Sequence, residues 1–232
     1  RAQGYKAFYI AIGCQGGKRP GVKNDDAKGT AIAVEYLRHC FEHREDSFSG
    51  NVVVVGGGNV AMDAARSAMR LGAEHVYIIY RRSEAELPAR REEVHHAKEE
   101  GIEFMLLNNP VKINGDEKGN VKSIECIKME LGEPDASGRR RPIPVEGSNF
   151  ELPVDTVIMS LGTSPNPLIR TTTEGLEANK HGCLIADENM AATREGVYAG
   201  GDAVTGAATV ILAMGAGKTA AASIDEYIQN KK

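Results

Sequence analysis

The chain has 232 residues, of which 41% are hydrophobic and 26% are charged, and its formal net charge is −4. This length and composition allow a real hydrophobic core in one large or two small domains. The mild acidity gives no general attraction to nucleic acid or anionic lipid, and no apolar run approaches the ~20 residues of a membrane span. We therefore expect a soluble globular protein with no nucleic-acid or membrane partner, and a cytoplasmic location by default.

Four cysteines are spread along the chain without a C-x-x-C pair or a spacing typical of metal ligands. Thiol–disulfide chemistry within the chain and a metal site are therefore not expected. The neighbouring His95 and His96 could suggest a metal, but adjacent helical residues point about 100° apart and no second ligand pair follows at i+4. A solvated helix face is the favoured interpretation.

The N-terminal stretch Tyr5–Ile12 is apolar, is typical of a buried strand and ends at Gly13. The chain has no initiator methionine and enters this strand almost at once, so we interpret it as a fragment that begins within a domain. After a polar loop, Thr30 is predicted to cap an amphipathic helix over Ala31–Glu42.

The next segment predicts a strand, a glycine turn, a helix and a second strand. Four β-branched residues, Val52–Val55, are typical of a strand buried on both faces of a parallel sheet. The sequence of residues 56–61 is G-x-G-x-x-A, and it leads into a helix over Met62–Leu71 that Gly72 ends. A second strand over His75–Tyr80 completes the unit.

This unit favours a dinucleotide as ligand. Gly56 permits a tight turn, Gly58 lets the backbone approach a pyrophosphate, and Ala61 keeps the helix close to the strand. The helix N-terminus, with Asn59 and Val60, then faces the phosphates. The alternative is an ordinary tight connection from strand to helix, which the presence of all three flanking elements makes less favoured.

Two arginines at the end of the second strand indicate which dinucleotide binds. A carboxylate at this position would accept a hydrogen bond from the ribose 2′-hydroxyl of NAD(H), but the chain has Arg81 and Arg82 there. Guanidiniums can make charge-assisted hydrogen bonds to a 2′-phosphate, each worth about 1.5–3 kcal/mol when partly shielded. NADP(H) is therefore predicted over NAD(H), and a solvated arginine pair is the alternative.

The chain then continues the parallel sheet and changes to an antiparallel pattern. Pro88 suits the first turn of a helix over Ala89–Glu100, and Ile102–Leu107 is predicted as a third parallel strand. Three further strands separated by polar turns, one of them at residues 135–138, predict an antiparallel meander; these are Val111–Ile113, Val121–Leu131 and Arg140–Leu152. The run of arginines at 139–141 is interpreted as a solvated turn, with a docking patch for an acidic partner as the alternative.

The last third repeats the pattern of the N-terminal strand. Asp155–Leu161 is another apolar strand that ends at a glycine, Gly162, so we expect the chain to cross between two domains at both places. Short strands at Leu184–Ile185 and Val197–Ala199 follow. The last of them leads into Gly200, Gly201 and Asp202, and a long helix is predicted over Thr209–Ile228, rich in alanine and glycine on one face.

Four phrases carry a resemblance to a known family: GGGNVAMDAARSAMRLGA, YRRSEAELPARREEVHHAKEEGIEF, LGTSPNPLI and GVYAGGDAVTGAATVILAMGAGKTAAASI. Together they resemble the C-terminal two-thirds of the glutamate synthase small (beta) subunit family, which includes the large subunit of the NADH-dependent ferredoxin:NADP oxidoreductase. The resemblance implies an α/β fold of the two-dinucleotide-binding flavoprotein type, in which a Rossmann-like NADPH domain is inserted into an FAD domain.

The resemblance also implies roles for individual residues. Asp202 would accept a hydrogen bond from the flavin ribityl chain, and Thr209 and Val210 would present backbone N–H groups to the isoalloxazine. On spacing alone, Asp202 is equally well interpreted as an ordinary turn or capping aspartate. The complete predicted cofactor-binding set for NADPH and FAD is Gly56, Gly58, Asn59, Val60, Ala61, Arg81, Arg82, Gly162, Gly201, Asp202, Thr209 and Val210.

Three departures from the family are visible. The chain lacks the cysteine-rich iron–sulfur segment and the first G-x-G-x-x-G of the FAD domain, so it is expected to hold half of an FAD site. It also lacks a redox-active cysteine pair, which implies that electrons leave the flavin to an iron–sulfur centre or a partner subunit. Glu86 replaces a third arginine, for which Arg90 or Arg91 can substitute.

The predicted organisation has three parts: residues 1–46 as a piece of the FAD domain, 47–161 as the NADPH domain with its meander, and 162–232 as the C-terminal FAD piece. The predicted activity is hydride transfer between NADP(H) and FAD, which needs no catalytic side chain because the two rings only have to be positioned. The alternative is a module that binds NADPH without turnover of its own.

Overall fold

The computed structural model describes residues 2–43, 47, 49–136 and 138–231. In chain order the elements are β1 (Phe8–Ile10), β2 (Gly16–Gly17), β3 (Thr30–Ile32), α1 (Ala33–Glu42), β4 (Asn51–Val55), α2 (Asn59–Arg70), β5 (His75–Tyr80), a 3₁₀ turn (Glu84–Glu86), α3 (Arg91–Glu99), β6 (Glu103–Leu106), β7 (Asn108–Gly115), β8 (Val121–Pro134), β9 (Arg140–Pro144), β10 (Phe150–Pro153), β11 (Thr156–Met159), β12 (Thr163–Ser164), α4 (Leu168–Thr172), β13 (Val197–Ala199), α5 (Asp202–Thr205) and α6 (Val210–Gln229).

The chain divides into two compact units. The larger unit is Gly17–Leu161, and the smaller one combines residues 1–16 with residues 162–232. The first division therefore lies at Gly17 and not at the predicted position 46/47, of which residue 46 lies outside the described residues. The physical reason is that β3 pairs with β11 in the larger unit, which brings the segment after Gly17 into its sheet.

A five-stranded parallel sheet in the order β3-β11-β4-β5-β6 forms the centre of the larger unit. The four valines of β4 are buried and alternate between its two faces. Val52 and Val54 pack with the alanines of α2, whereas Val53 and Val55 pack with side chains of β7 and β8. The predicted strands His75–Tyr80 and Ile102–Leu107 correspond to β5 and β6, and their parallel pairing is confirmed. The predicted burial of Val52–Val55 on both faces is also confirmed.

An antiparallel meander covers one face of that sheet, as predicted. β8 is 14 residues long and pairs with all three other meander strands, β7, β9 and β10. The prediction of a single strand over Arg140–Leu152 is wrong. The first strand ends at Pro144, and the chain turns at Gly147, whose φ is +72°. The two halves pair with different parts of β8. Residue 137 of the predicted polar turn lies outside the described residues.

Three predicted helix starts are displaced. Thr30 does not cap α1, because it belongs to β3, and α1 begins at Ala33. The helix after the glycine turn begins at Asn59, three residues earlier than predicted. Pro88 does not lie in the first turn of α3, which begins at Arg91 after a separate 3₁₀ turn.

The smaller unit is built on one parallel strand pair, β1 with β13. A cluster of Leu176, Leu184, Val197 and Ala199 forms its core. Leu184 makes an isolated bridge with Ala178, so the predicted strand Leu184–Ile185 is not a regular strand. Over the described part of the chain, no helix is long and apolar enough to cross a membrane. Within the same residues, no group of three or more His, Cys, Asp or Glu could hold a metal ion.

Candidate nucleotide-binding sites

The turn after β4 begins with a glycine that no other residue can replace easily. Gly56 has φ of +139°, and an added Cβ would overlap the carbonyl oxygen of Ser160 at the end of β11. Its backbone N–H donates to the carbonyl oxygen of Ile79 at 3.0 Å. Gly56 is thus wedged between two neighbouring strands of the sheet, which fixes where the turn leaves it.

The second glycine of the turn is a contact residue that the sequence interpretation missed. An added Cβ on Gly57 would lie 2.6 Å from Cδ2 of Leu87 and 2.8 Å from Cδ2 of Tyr80. The carbonyl oxygen of Gly57 accepts a hydrogen bond of 3.1 Å from the N–H of Ala89. The connection between β5 and α3 therefore packs directly on the glycine turn, and a glycine at the first variable position of the G-x-G-x-x-A motif was the sequence signal for that close approach.

Gly58 is the residue at which a ligand can approach the backbone. It is the N-cap of α2, it has an extended backbone with φ of −88°, and no side chain caps the helix there. No heavy atom lies within 4 Å of the position of an added Cβ. The first N–H groups of a helix have no partner within the helix, and its N-terminus carries partial positive charge. The arrangement fits a pyrophosphate.

Helix α2 is placed by its buried face. Ala61 is fully buried and packs with β4, whereas Asn59 and Val60 are exposed at the start of the helix. The side-chain oxygen of Asn59 accepts a 2.9 Å hydrogen bond from the N–H of Arg90. The Asn59 side chain therefore holds the segment that carries Arg90 and Arg91 beside the start of α2, a role that was not predicted.

The two consecutive arginines after β5 have different environments. Arg81 is exposed, and within the described residues its guanidinium makes no hydrogen bond or ion pair. The Arg82 side chain is only 7% exposed, and its Nη2 lies 2.8 Å from Oδ2 of Asp135. The prediction treated both guanidiniums as ligands of one phosphate, but the structure leaves only Arg81 open to solvent.

Glu86 has a local structural role. Its carboxylate accepts hydrogen bonds from the N–H and hydroxyl of Ser83, which closes a capping box around the 3₁₀ turn. The backbone carbonyl of Glu86 also accepts a 2.8 Å hydrogen bond from the Tyr80 hydroxyl. Glu86 therefore shapes the connection after β5.

A charge network fastens α3 to α2. Arg66 Nη1 lies 2.9 Å from a Glu93 carboxylate oxygen, and Arg66 Nη2 and Arg70 Nη2 lie 2.9 and 2.6 Å from Oε1 of Glu100. Hydrogen bonds from Arg70 and then Arg66 lower the pKa of Glu100 from 4.5 to about 2. The network fixes both helices whose N-termini border the glycine turn.

A second candidate site lies in the smaller unit. A cavity of about 310 Å³ is lined by residues that include Gly201, Asp202, Thr209 and Val210. Asp202 Oδ1 accepts a 3.2 Å hydrogen bond from the N–H of Ala208, and Thr209 is the N-cap of α6. The structure thus brings these four predicted residues together.

The remaining predicted residue, Gly162, does not line that cavity. It is the first residue of the second segment of the smaller unit and has φ of +84°, and no heavy atom lies within 4 Å of an added Cβ. We therefore assign Gly162 to the chain crossing, where a left-handed backbone conformation favours glycine.

The strand, glycine turn and helix over the parallel sheet, together with the division of the chain into two units, define a protein of the two-dinucleotide-binding fold class. Within that class, the chain belongs to the pyridine nucleotide-disulphide oxidoreductase family, whose sequence profile matches residues 1–220. Proteins of this family bind FAD and NADPH, the two cofactors expected from the sequence.

Relatives confirm the resemblance seen in the sequence. The chain is 45% identical over 229 residues to the NADP(+)-dependent formate dehydrogenase subunit beta of Moorella thermoacetica, covering 97% of this chain and 32% of that protein. It is 35% identical over 240 residues to the glutamate synthase [NADPH] small chain of Escherichia coli, covering 97% of this chain and 51% of that protein. The chain thus spans about a third to a half of the length of these relatives.

The fold is also found in a solved structure, that of Mycobacterium tuberculosis FprA in complex with NADPH. The TM-score is 0.77 with 19% sequence identity, over 97% of this chain and 64% of that one. The predicted fold class is confirmed.

Proposed function

We propose that the chain is the electron-input part of an NADPH-dependent flavoprotein oxidoreductase, with NADP(H) in the larger unit and part of an FAD site in the smaller one. Gly58 carries this proposal, because it is the N-cap of α2 and no heavy atom lies within 4 Å of the position of an added Cβ, so a ligand can approach the start of the helix there. Family membership supports the same pair of cofactors.

The residues of the larger unit would bind NADPH and orient it. The backbone N–H groups of Gly58, Asn59 and Val60 would donate to the pyrophosphate, and the exposed guanidinium of Arg81 would donate to the 2′-phosphate. When bound, NADPH would supply a hydride and FAD would accept it. No acid or base from the chain is required, so these residues contribute by positioning.

The residues of the smaller unit would contact the flavin. The Asp202 carboxylate can accept a hydrogen bond from a ribityl hydroxyl. The N-terminus of α6, at Thr209 and Val210, would favour negative charge on the flavin, because the helix dipole is positive at that end. Residues 1–16 and 162–232 would accordingly belong to an FAD domain, and 17–161 to the NADPH domain.

We further propose that electrons leave the flavin to an iron–sulfur centre or partner subunit in the cytoplasm. The names of the relatives support this step: one is a formate dehydrogenase subunit and another is a glutamate synthase small chain. Within the described residues the four cysteines form no disulfide, and burial raises the pKa of the Cys126 thiol to about 12. A thiolate at Cys126 is therefore disfavoured, in line with an acceptor outside the chain.

Calorimetric titration of the chain with NADPH tests the proposal. Gly58→Val should weaken NADPH binding at least about tenfold, because the added side chain occupies the approach of the pyrophosphate. Gly215→Val is the matched control: Gly215 also has open space around an added Cβ, but it lies within α6 in the smaller unit. The proposal fails if the wild-type chain does not bind NADPH, or if Gly58→Val binds it as well as the wild type.

A further inference from the structure

We infer that Asp135, in the turn after β8, is a positioning residue for NADPH specificity: it holds the side chain of Arg82 so that Arg81 alone is presented to the 2′-phosphate. The inference rests on the proposed function, since it concerns how the NADPH site distinguishes NADPH from NADH. Asp135 lies 53 positions along the chain from Arg82 and follows a strand of the meander, whereas Arg82 follows a strand of the parallel sheet.

Two bonds draw the Arg82 side chain into the β8–β9 hairpin. Its Nη2 donates to Asp135 Oδ2 at 2.8 Å, and its Nε donates to the carbonyl oxygen of Arg140 at 2.7 Å. The side chains of Arg82 and Asp135 are 7% and 24% exposed. Charged groups this well buried are stable only when paired and hydrogen-bonded. The Arg82 side chain is therefore held in the β8–β9 hairpin by these bonds.

The backbone of Arg82 is fixed by the same part of the molecule. Its carbonyl oxygen accepts a 3.1 Å hydrogen bond from the N–H of Leu107, whose own carbonyl accepts one of 2.7 Å from Met129 in β8. Leu107 has φ of +57°, which is unfavourable for a residue with a branched side chain and persists only where the surroundings hold it. Side chain and backbone of Arg82 thus both depend on β8.

The orientation of Arg81 follows from this. Arg81 and Arg82 are consecutive residues of the bend after β5, in which Arg82 is buried and Arg81 is exposed, so the contacts that fix Arg82 also fix the place of Arg81. The β8–β9 hairpin has its own internal support, since Arg140 Nη2 and Nε donate to the carbonyl oxygens of Leu131 and Gly132 at 2.7 and 3.1 Å. A supported hairpin can therefore hold the arginine loop in one conformation before the cofactor binds, which lowers the entropic cost of binding.

If Asp135 instead competed with the cofactor for Arg82, the expected change in NADP⁺ affinity would have the opposite sign. If Arg82 turned to the 2′-phosphate when NADPH binds, Asp135 would compete with the phosphate, and its removal would tighten NADP⁺ binding. If Asp135 positions the loop, its removal weakens NADP⁺ binding. The sign of the change separates the two roles.

The experiment is calorimetric titration of the full 232-residue chain with NADP⁺ and with NAD⁺, which differ only in the 2′-phosphate. Asp135→Asn should weaken NADP⁺ about threefold to thirtyfold and leave NAD⁺ within about twofold, the range expected for coupling between contacting residues. Asp116→Asn is the matched control, because both carboxylates cap a meander turn: Asp135 accepts from the N–H of Arg139, and Asp116 accepts from the N–H groups of Lys118 and Asn120. It should change neither affinity.

A double-mutant cycle adds a readout that a general loss of stability would not produce. Arg82→Ala with Asp135→Asn should weaken NADP⁺ no more than the stronger single variant, because both changes break one connection. Tighter NADP⁺ binding by Asp135→Asn, or equal weakening of NAD⁺, would overturn the inference. Arg81→Ala distinguishes its failure from that of the proposed function: if Arg81→Ala also leaves NADP⁺ affinity unchanged, the phosphate site itself is wrong.

Discussion

The two units of the chain support their candidate sites very differently. In the larger unit the parallel sheet is covered on both faces, and the glycine turn rises from strands whose side chains are almost fully buried. The first site therefore stands on a core that its own unit completes, whereas apolar side chains beside the second site stay exposed. Such side chains commonly mark a binding surface.

The largest expected effect comes from a substitution in the glycine turn of the larger unit. Gly56→Val should lower the free energy of unfolding of the larger unit by about 3–5 kcal/mol, because the added side chain overlaps the Ser160 carbonyl and φ of +139° is unfavourable for valine. Urea denaturation followed by circular dichroism measures it.

Gly58→Val is the control for that measurement. It should cost about 1 kcal/mol or less, the usual effect of a less favourable N-cap residue, because space is open there. Similar destabilisation by both variants would show that Gly56 is not tightly wedged between the strands.

The second prediction sharpens the contrast between the sites through their ligands. A cavity of about 310 Å³ can enclose only a part of FAD, which is much larger than the drug-sized ligands that fill pockets of this size. The FAD groups that remain outside this cavity should make its binding about 4 kcal/mol or more weaker than that of a tight site, which leaves a dissociation constant in the micromolar range or weaker.

The purified 232-residue chain should therefore be colourless or nearly so, while it still binds NADPH. An absorption spectrum and an NADPH titration of the same sample would show this. A yellow protein with stoichiometric FAD would mean that the smaller unit is as self-sufficient as the larger one.

The third prediction concerns the arginine that faces solvent. Arg81→Ala should weaken NADPH by about 1.5–3 kcal/mol, the value of a charge-assisted hydrogen bond, and leave NADH nearly unchanged. Titration calorimetry with both nucleotides measures the difference. Arg141→Ala, which removes an exposed arginine from β9, is a control for the loss of one positive charge, and equal weakening of both nucleotides would contradict the assignment.

The smallest effect concerns the charge network that holds α3. The pKa of Glu100 is lower in the folded than in the unfolded state, so its contribution to stability is present above pH 4.5 and is lost as the pH falls towards 2. With a discount for solvent screening, Glu100→Gln should cost about 1 kcal/mol at neutral pH and less at pH ~3.

Denaturation at several pH values would test this. Glu99→Gln, an exposed neighbour on the same helix, should show little change at any pH. A loss for Glu100→Gln that grows as the pH falls would contradict the assigned sign.

Sequence patterns predicted the strands and turns that depend on local rules. The four valines of β4 predicted a buried strand and the glycines after them a tight turn into a helix, and the structure has both. The start of α1 was missed, because the pairing of Thr30–Ile32 with β11 is a long-range contact that outweighs a local capping signal.

Features of the candidate sites that depend on the local backbone could be predicted from the sequence. Contacts between side chains that are far apart in the sequence could not. Gly58 was predicted as a pyrophosphate contact from its local motif, and Asp202 as a flavin contact from the family resemblance; both stay predictions. The ion pair of Arg82 with Asp135 could not be predicted, because only the fold of the meander brings the two residues together. The link between Asn59 and Arg90 likewise spans two helices that the sequence shows only as separate elements.

The position of β11 has a consequence for how the chain is made. It lies between β3 and β4, although it is the last of the five strands in the sequence. Since a ribosome delivers the chain from its N-terminus, the edge of β4 that pairs with β11 stays unsatisfied while the whole meander is synthesised. An uncovered edge of consecutive valines is prone to pair with other nascent chains. Chaperone demand should therefore peak just before Thr156–Met159 emerges, and premature termination before that strand should yield aggregates rather than a smaller folded domain.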